Sequence, residues 1–344
     1  MLPSTRIPAF TWLPGPPQIT TAEPSAGELR FIARLNTATL PDGPVVSRII
    51  GNSGAIEDDD VFLISGQSRS KFYSSHQFID GQVHGVTGSG IGAYMIIPGT
   101  GYEASSGGPF FRDINNQGSA QQELYFCMIS GDTQTEAHRM GLHGPYLLQF
   151  TTGAAPSAEI NLAFWDGLGV TDWIPTSGRG YVKGKASGAS AAFADLVVVG
   201  WSNLIAQYWA RAESNGNYYS PATRPGTYTM TMYKSELAVA TSTVTITARS
   251  TIAANIQSQG ANPTVVWQIG DFDGTPRGLL NSDMIETMQG INILAEGCTT
   301  SYDVGPATVR FGLSSSQLGA RTLEIGVTLA FKGASADLIA FLAI

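Results

Sequence analysis

The residues best suited to move a proton crowd into one stretch. Residues 134–146 read QTEAHRMGLHGPY and hold His138, Arg139 and His143, in a chain with four histidines. Imidazole has an ordinary pKa near neutrality, so it can take or give a proton at working pH. Gly141 and Gly144 flank Leu142-His143 and supply special backbone angles or room for a close neighbour. Pro145 stiffens the exit. The pattern predicts an imidazole on a rigid turn; a core or surface histidine in a turn fits the same residues.

Cations stand elsewhere along the chain. Residues 28–35, ELRFIARL, alternate as a strand does, with Leu29, Phe31 and Ala33 on one face and Arg30, Ile32 and Arg34 on the other. Two arginines on one face make an anion-binding pair or two solvated, snorkelling side chains. Lys71 follows Val61-Phe62-Leu63-Ile64, a buried strand, and its bland reading is an exposed cation. Gly88-Ser89-Gly90-Ile91-Gly92 is not a phosphate loop, because the following helix and the spacing are absent. Glu28, Glu103, Asp113, Glu123 and Glu136 offer carboxylates for glycoside hydrolysis, but no motif selects a pair.

Composition narrows the classes. The chain has 344 residues, 43% hydrophobic and 13% charged, with 40 glycines. That balance predicts short strands and turns rather than helical bundles. A net charge of −8 argues against general nucleic-acid binding. A local basic cleft could still hold an anionic sugar chain. No apolar run nears the roughly 20 residues that span a bilayer. The opening MLPSTRIPAFTWLPGPP lacks the pattern of a signal peptide. Cys127 and Cys298 make no metal spacing, and Asp271 and Asp273 resemble a calcium loop only weakly. No cofactor is implied, though calcium at a carboxylate turn is compatible.

The elements that must position these groups are strands. Residues 124–129 and 146–150 read as strands of a first unit. Beyond Ser177-Gly178-Arg179-Gly180 come strands at 196–199, 206–210, 225–233, 237–240 and 244–246, enough for a small β-sandwich. Trp201 and Trp209 are expected in its core. A third unit begins near 259 with Val265-Val266-Trp267-Gln268-Ile269. The expected division is 1–183, 184–258 and 259–344.

Several blocks together resemble the rhamnogalacturonan lyases of polysaccharide lyase family 4. They are AEPSAGELRFIARL (22–35), DVFLISGQSRSKFYSS (60–75), SSGGPFFRDIN (105–115), QTEAHRMGLHGPY (134–146), SGRGYVKGKASG (177–188), PGTYTMTMYKSELAVATS (225–242) and IGDFDGTPRG (269–278). The resemblance implies an all-β chain: a catalytic β-sandwich (a super-sandwich lacking its N-terminal part), a fibronectin-III-like sandwich and a partial jelly roll like a carbohydrate-binding module. It implies β-elimination in the backbone of rhamnogalacturonan I (pectin), outside the cell, by a monomer that binds neither nucleic acid nor membrane. It puts Arg30 at the substrate-binding arginine, Lys71 at the base and His143 at the acid, with Arg112, His138 and Arg139 as further substrate contacts. A lysine base must be neutral, and burial or a cation such as Arg69 would lower its pKa toward about 7–8.

Three departures accompany the resemblance. Only about 20 irregular residues precede the first block, where the family has more strands. His138 stands where a tyrosine is expected. The jelly roll is short, with a gap around 289–305 and a divergent tail after Gly333. These predict a chain truncated at both ends. The alternative to an active lyase is an inactive homologue acting as a carbohydrate-binding or structural β-protein.

Overall fold

The computed structural model describes residues 18–21, 28–43, 76–118, 120–130, 136–260 and 312–321. It also describes strands at 11–12, 55–57, 61–64 and 67–70 and the single positions 266 and 268. Lys71, Asp271, Asp273, Cys298 and nearly all of the expected third unit lie outside the described residues. The fold is all-β, and the helical pieces among the described residues are short 3-10 turns.

The first unit packs two sheets face to face. One runs in the order Thr11–Trp12, Leu147–Thr151, Ile91–Ile96, Val83–Gly88; the other in the order Asn116–Gly118, Gln122–Ser130, Glu28–Leu35. Ala33, Leu124, Phe126 and Met128 from one sheet meet Val86, Ala93 and Met95 from the other. Leu29, Phe31 and Leu35 pack on this core, so the expected inward face of that strand is observed. Ile91–Ile96 is covered on both sides. Ala93 and Met95 enter the main core, whereas Tyr94 and Ile96 join Leu147 in a second cluster backed by Val83, Ile160 and Leu162. A strand buried on both faces shows an apolar run instead of alternation. The Gly88-Ser89-Gly90 segment, rejected as a phosphate loop, is the turn of a hairpin, with Gly90 at φ 70°.

The second unit is a smaller sandwich. Gln207–Arg211, Val197–Ser202, Gly226–Lys234 and Leu237–Ile246 form one antiparallel sheet. The other centres on Tyr181–Ser187, paired with Asn217–Tyr219, Thr251–Ala253 and Ile256–Gln257. Tyr228, Met230 and Met232 are buried while Thr227 and Thr229 are exposed, the period-2 pattern of a one-sided strand. Trp201 is fully buried in this core, as expected. The strand Tyr181–Ser187 spans the expected division at 183/184 and, among the described residues, pairs with strands of the second unit.

The units share a packed joint. Trp209 of the second unit lies 6.4 Å from the Phe78 ring and 6.1 Å from Tyr102, which themselves stack at 3.9 Å. Gln207 donates its backbone N–H to Glu103 O at 2.9 Å, and Arg211 pairs with Asp80 at 2.5 Å. Trp209 thus works in the first unit's core as much as in its own sheet.

Candidate functional site

His143 is carried by a strand rather than a turn. Gly141–His143 pairs antiparallel with Gln18–Thr20, placing Leu142 opposite Ile19 and His143 opposite Gln18. Gly141 has φ 110° and Gly144 φ 126°, a region costly for residues with a Cβ, and Gly144-Pro145 is cis. A Cβ on Gly141 would also meet Asp172 Oδ2 at 2.4 Å. The glycines therefore bracket the strand as ends that no other residue could supply. Tyr146 then stacks on Phe126 at 4.2 Å and contacts Phe31 at 5.4 Å, anchoring the exit in the main core.

The His143 ring is 2% exposed. Its Nε2 lies 3.0 Å from Thr20 Oγ1, while Nδ1 is buried with no hydrogen-bond partner among the described residues. Burial, with a smaller push from His138, lowers its pKa to about 4. At neutral pH the ring is therefore uncharged. It can accept a proton, but it is not the imidazolium that an acid role requires unless an anion arrives beside it. His138 is half-buried five positions earlier.

Arg139 is not available for substrate. It is 2% exposed, and its Nε and Nη1 donate to Asn203 O and Ser105 O, both at 2.9 Å. Its Nη2 pairs with Glu136, which also accepts from Gly107 N at 2.9 Å. The guanidinium ties the first unit to the second, which corrects the expectation of a substrate contact. Ser105, Ser106 and Gly107 close around it and its partner Glu136.

Arg30 stands on the sheet face away from Phe31, opposite Cys127. It pairs with Glu28 at 2.5 Å and Asp113 at 3.3 Å, and lies 6.0 Å from the Tyr125 ring. Two carboxylates already balance its charge, so an incoming uronate would compete with them. Arg112 is exposed on the short strand Arg112–Asp113, beside His76–Gln77. Lys71 comes directly after the strand Gln67–Ser70 and is itself outside the described residues. The structure thus gives Arg30 and His143 separate surroundings and leaves their relation to Lys71 undescribed.

The hydrolase carboxylates are each engaged by an arginine. Glu28 and Asp113 face Arg30, Glu123 faces Arg34 at 3.1 Å, Glu136 faces Arg139, and Glu103 faces Arg179 at 2.6 Å. Two shallow clefts flank Glu136, one reaching Asn203 and Tyr228, the other Trp201 and Trp209; neither is lined by Arg30 or His143. Among the described residues no group of three His, Cys, Asp or Glu is placed to hold a metal ion, and no helix is long and apolar enough to cross a membrane. Cys127 is a buried free thiol.

One group of residues is joined by no motif in the sequence. Glu103 receives Arg179 Nη1 and Nη2 (2.6 and 3.1 Å), Arg224 Nη2 (3.3 Å) and the Tyr208 hydroxyl (2.6 Å). Arg224 also donates to Asp172 Oδ1 at 2.8 Å, and Asp172 Oδ2 accepts the Leu142 N–H at 3.1 Å. Burial works against the Asp172 charge, but Arg224 and the Leu142 N–H outweigh it, and the carboxyl stays below its ordinary pKa. Breaking a buried pair such as Glu103–Arg179 typically costs about 3–5 kcal/mol.

Comparison with known proteins bears on the whole chain. Residues 18–172 match the family model described as rhamnogalacturonan lyase B, N-terminal, and residues 178–254 match polysaccharide lyase family 4, domain II. The chain is 45% identical over 334 residues to a probable rhamnogalacturonate lyase A of Aspergillus terreus, covering 91% of this chain and 62% of that protein. It is 44% identical over 333 residues to rhamnogalacturonate lyase A of Emericella nidulans, covering 91% and 62%. It is also 44% identical over 336 residues to rhamnogalacturonate lyase A of Aspergillus aculeatus, covering 91% and 63%. The chain thus spans about three fifths of the length of these relatives. Two successive family matches in one chain, on two successive sandwiches, agree with the similarity that runs through both: the chain belongs to the rhamnogalacturonan lyases of polysaccharide lyase family 4.

Proposed function

We propose that this chain is a rhamnogalacturonan endolyase acting on rhamnogalacturonan I outside the cell. The observation that carries the reading is the 45% identity, over 91% of the chain, to a protein named as a probable rhamnogalacturonate lyase. The substrate is a polysaccharide, and the bond cleaved joins rhamnose to O4 of galacturonate. The reaction removes the C5 proton, breaks C4–O4 and forms the C4–C5 double bond. The oxygen leaves on rhamnose and collects a proton.

The C5 proton lies α to a carboxylate, whose charge must be stabilised as it builds. In this reading Arg30 supplies that cation, exchanging Glu28 or Asp113 for the uronate. Lys71 takes the proton. His143 gives one to O4: it is neutral in the free protein, and the uronate carboxylate raises its basicity once bound. His138 and Arg112 border the substrate, whereas Arg139 stays a joint between the units. The chain acts as a monomer, without nucleic acid or membrane. The proposed division has a catalytic sandwich to about residue 180, a fibronectin-III-like sandwich to 258 and a jelly-roll-like unit beyond.

Ultraviolet absorbance of the unsaturated uronide tests the reading. The full chain should generate it from rhamnogalacturonan I. Lys71→Ala should bind the polymer and yield no absorbance above background. A saturated new end would make the chain a hydrolase, and binding without any product would make it a carbohydrate-binding homologue. Near-normal turnover by Lys71→Ala would remove that lysine from the mechanism.

A further inference from the structure

We propose that Asp172, oriented by Arg224 of the second sandwich, is a positioning residue for His143. The catalytic part of the proposal rests on the lyase reading; the structural part does not.

The strand Gly141–His143 is short and, among the described residues, has one strand neighbour, Gln18–Thr20. The Leu142 N–H points out of that ribbon, and Asp172 Oδ2 accepts it at 3.1 Å, where a third strand would otherwise stand. Asp172 sits at φ 66°, a conformation that residues with a Cβ seldom adopt, and held here by its partners. Its Oδ1 takes Arg224 Nη1 at 2.8 Å and its backbone O takes Arg224 Nη2 at 3.0 Å. The same Nη2 reaches Glu103 Oε1 at 3.3 Å, and Glu103 is clamped by Arg179 and Tyr208. Gly141 makes room for the carboxylate, since any Cβ there would collide with it. The peptide just before His143 is therefore fixed by a chain of bonds that begins in the other sandwich. The His143 ring has one hydrogen bond among the described residues, so its direction depends on where that peptide is held.

The test uses the full chain with ring-labelled histidines. His143→Gln identifies the His143 ring signal by its loss from the spectrum. Asp172→Ala should displace or split that signal, and Asp172→Asn should move it less, because its one amide oxygen can accept from Leu142 N–H or from Arg224 Nη1 but not from both. In turnover, Asp172→Ala should lower kcat about 10- to 100-fold with KM within about twofold, and Asp172→Asn should fall between Asp172→Ala and wild type. If Asp172→Ala does not fold, Arg224→Gln replaces it: the carboxylate remains and its orienting cation is gone, so the His143 signal should again move. A His143 signal unchanged in the folded variant overturns the proposal. A moved signal in a chain whose wild type yields no unsaturated product keeps the positioning and discards the lyase.

Discussion

His84 and His143 are both buried in the first unit and share the same low basicity, with pKa lowered to about 4 chiefly by burial. Their wiring differs. His84 donates from Nε2 to Tyr125 O at 2.8 Å and holds Nδ1 3.3 Å from Gly81 O. Both carbonyls draw toward the protonated ring, and burial overrides them. His143 has a hydroxyl on Nε2 and no partner on Nδ1 among the described residues. His84 is a bolt between two segments of one sandwich. His143 keeps a ring nitrogen in reserve, at the end of a strand whose backbone is held from outside. Titration cannot tell a structural imidazole from a working one; unspent hydrogen-bonding capacity can.

The sharpest way to break this contrast is to remove each ring. His143→Ala should lower turnover by about 10²–10⁴-fold with the fold intact, the usual contribution of a positioned proton-transfer group. Circular dichroism and the uronide assay together check it. A fall of less than about fivefold would return His143 to the structural class. His84→Ala should do the reverse. It leaves Tyr125 O without its donor and opens a hole, costing about 2–3 kcal/mol in a denaturant melt. Activity per folded molecule should hold, and a large loss of turnover there would erase the distinction between the two rings.

Acid should expose what the two share. Both folded pKa values sit near 4, below the ordinary 6.5. Between those values the unfolded chain binds protons that the folded chain refuses. The stability tied to each neutral ring is therefore complete above pH 6.5 and is lost as pH falls toward 4. Each ring accounts for at most roughly 3 kcal/mol of that loss. Melts from pH 7 to 4 should steepen accordingly, and His84→Gln and His143→Gln should each remove part of the slope. Equal slopes in wild type and both variants would mean the rings are already charged in the fold.

How much of this could be read from the residues differs by element. Glu28–Leu35 and Gly226–Lys234 announced themselves, because one face is core and the other is not. Val83–Gly88 and Ile91–Ile96 did not, since glycines mark their hairpin and Ile91–Ile96 is apolar on both sides. Tyr181–Ser187 hid for another reason. Its inward positions include Gly184, where a Cβ would fall 1.5 Å from Ala254 O, so close approach replaced hydrophobic signal. Around His143 the special glycines were legible from the local motif, but the motif read as a turn where the structure has a short strand. Asp172 was not legible, because its partners Leu142 and Arg224 stand 30 and 52 positions away, and nothing in one sequence joins them. Arg139 misled by proximity. It neighbours His138 in sequence, yet its guanidinium turns into the joint toward Asn203.

The smallest expected effect sharpens the comparison most finely. His84 and His143 owe their low pKa to burial first, and each receives a further push from another imidazole, His76 for the one and His138 for the other. His138→Tyr, which installs the residue that family resemblance leads one to expect, removes that positive neighbour from His143 and leaves the burial. The His143 pKa should therefore rise, but stay well short of 6.5. The His84 pKa should not move, because its neighbours are untouched. A ring-proton titration reads both in one sample. If His143, made more basic by the bound uronate, protonates the departing oxygen, it must carry a proton in the complex, so a more basic ring should shift the alkaline limb of kcat upward in pH along with the titration. If the titration moves and the limb does not, the group that protonates the departing oxygen is not His143.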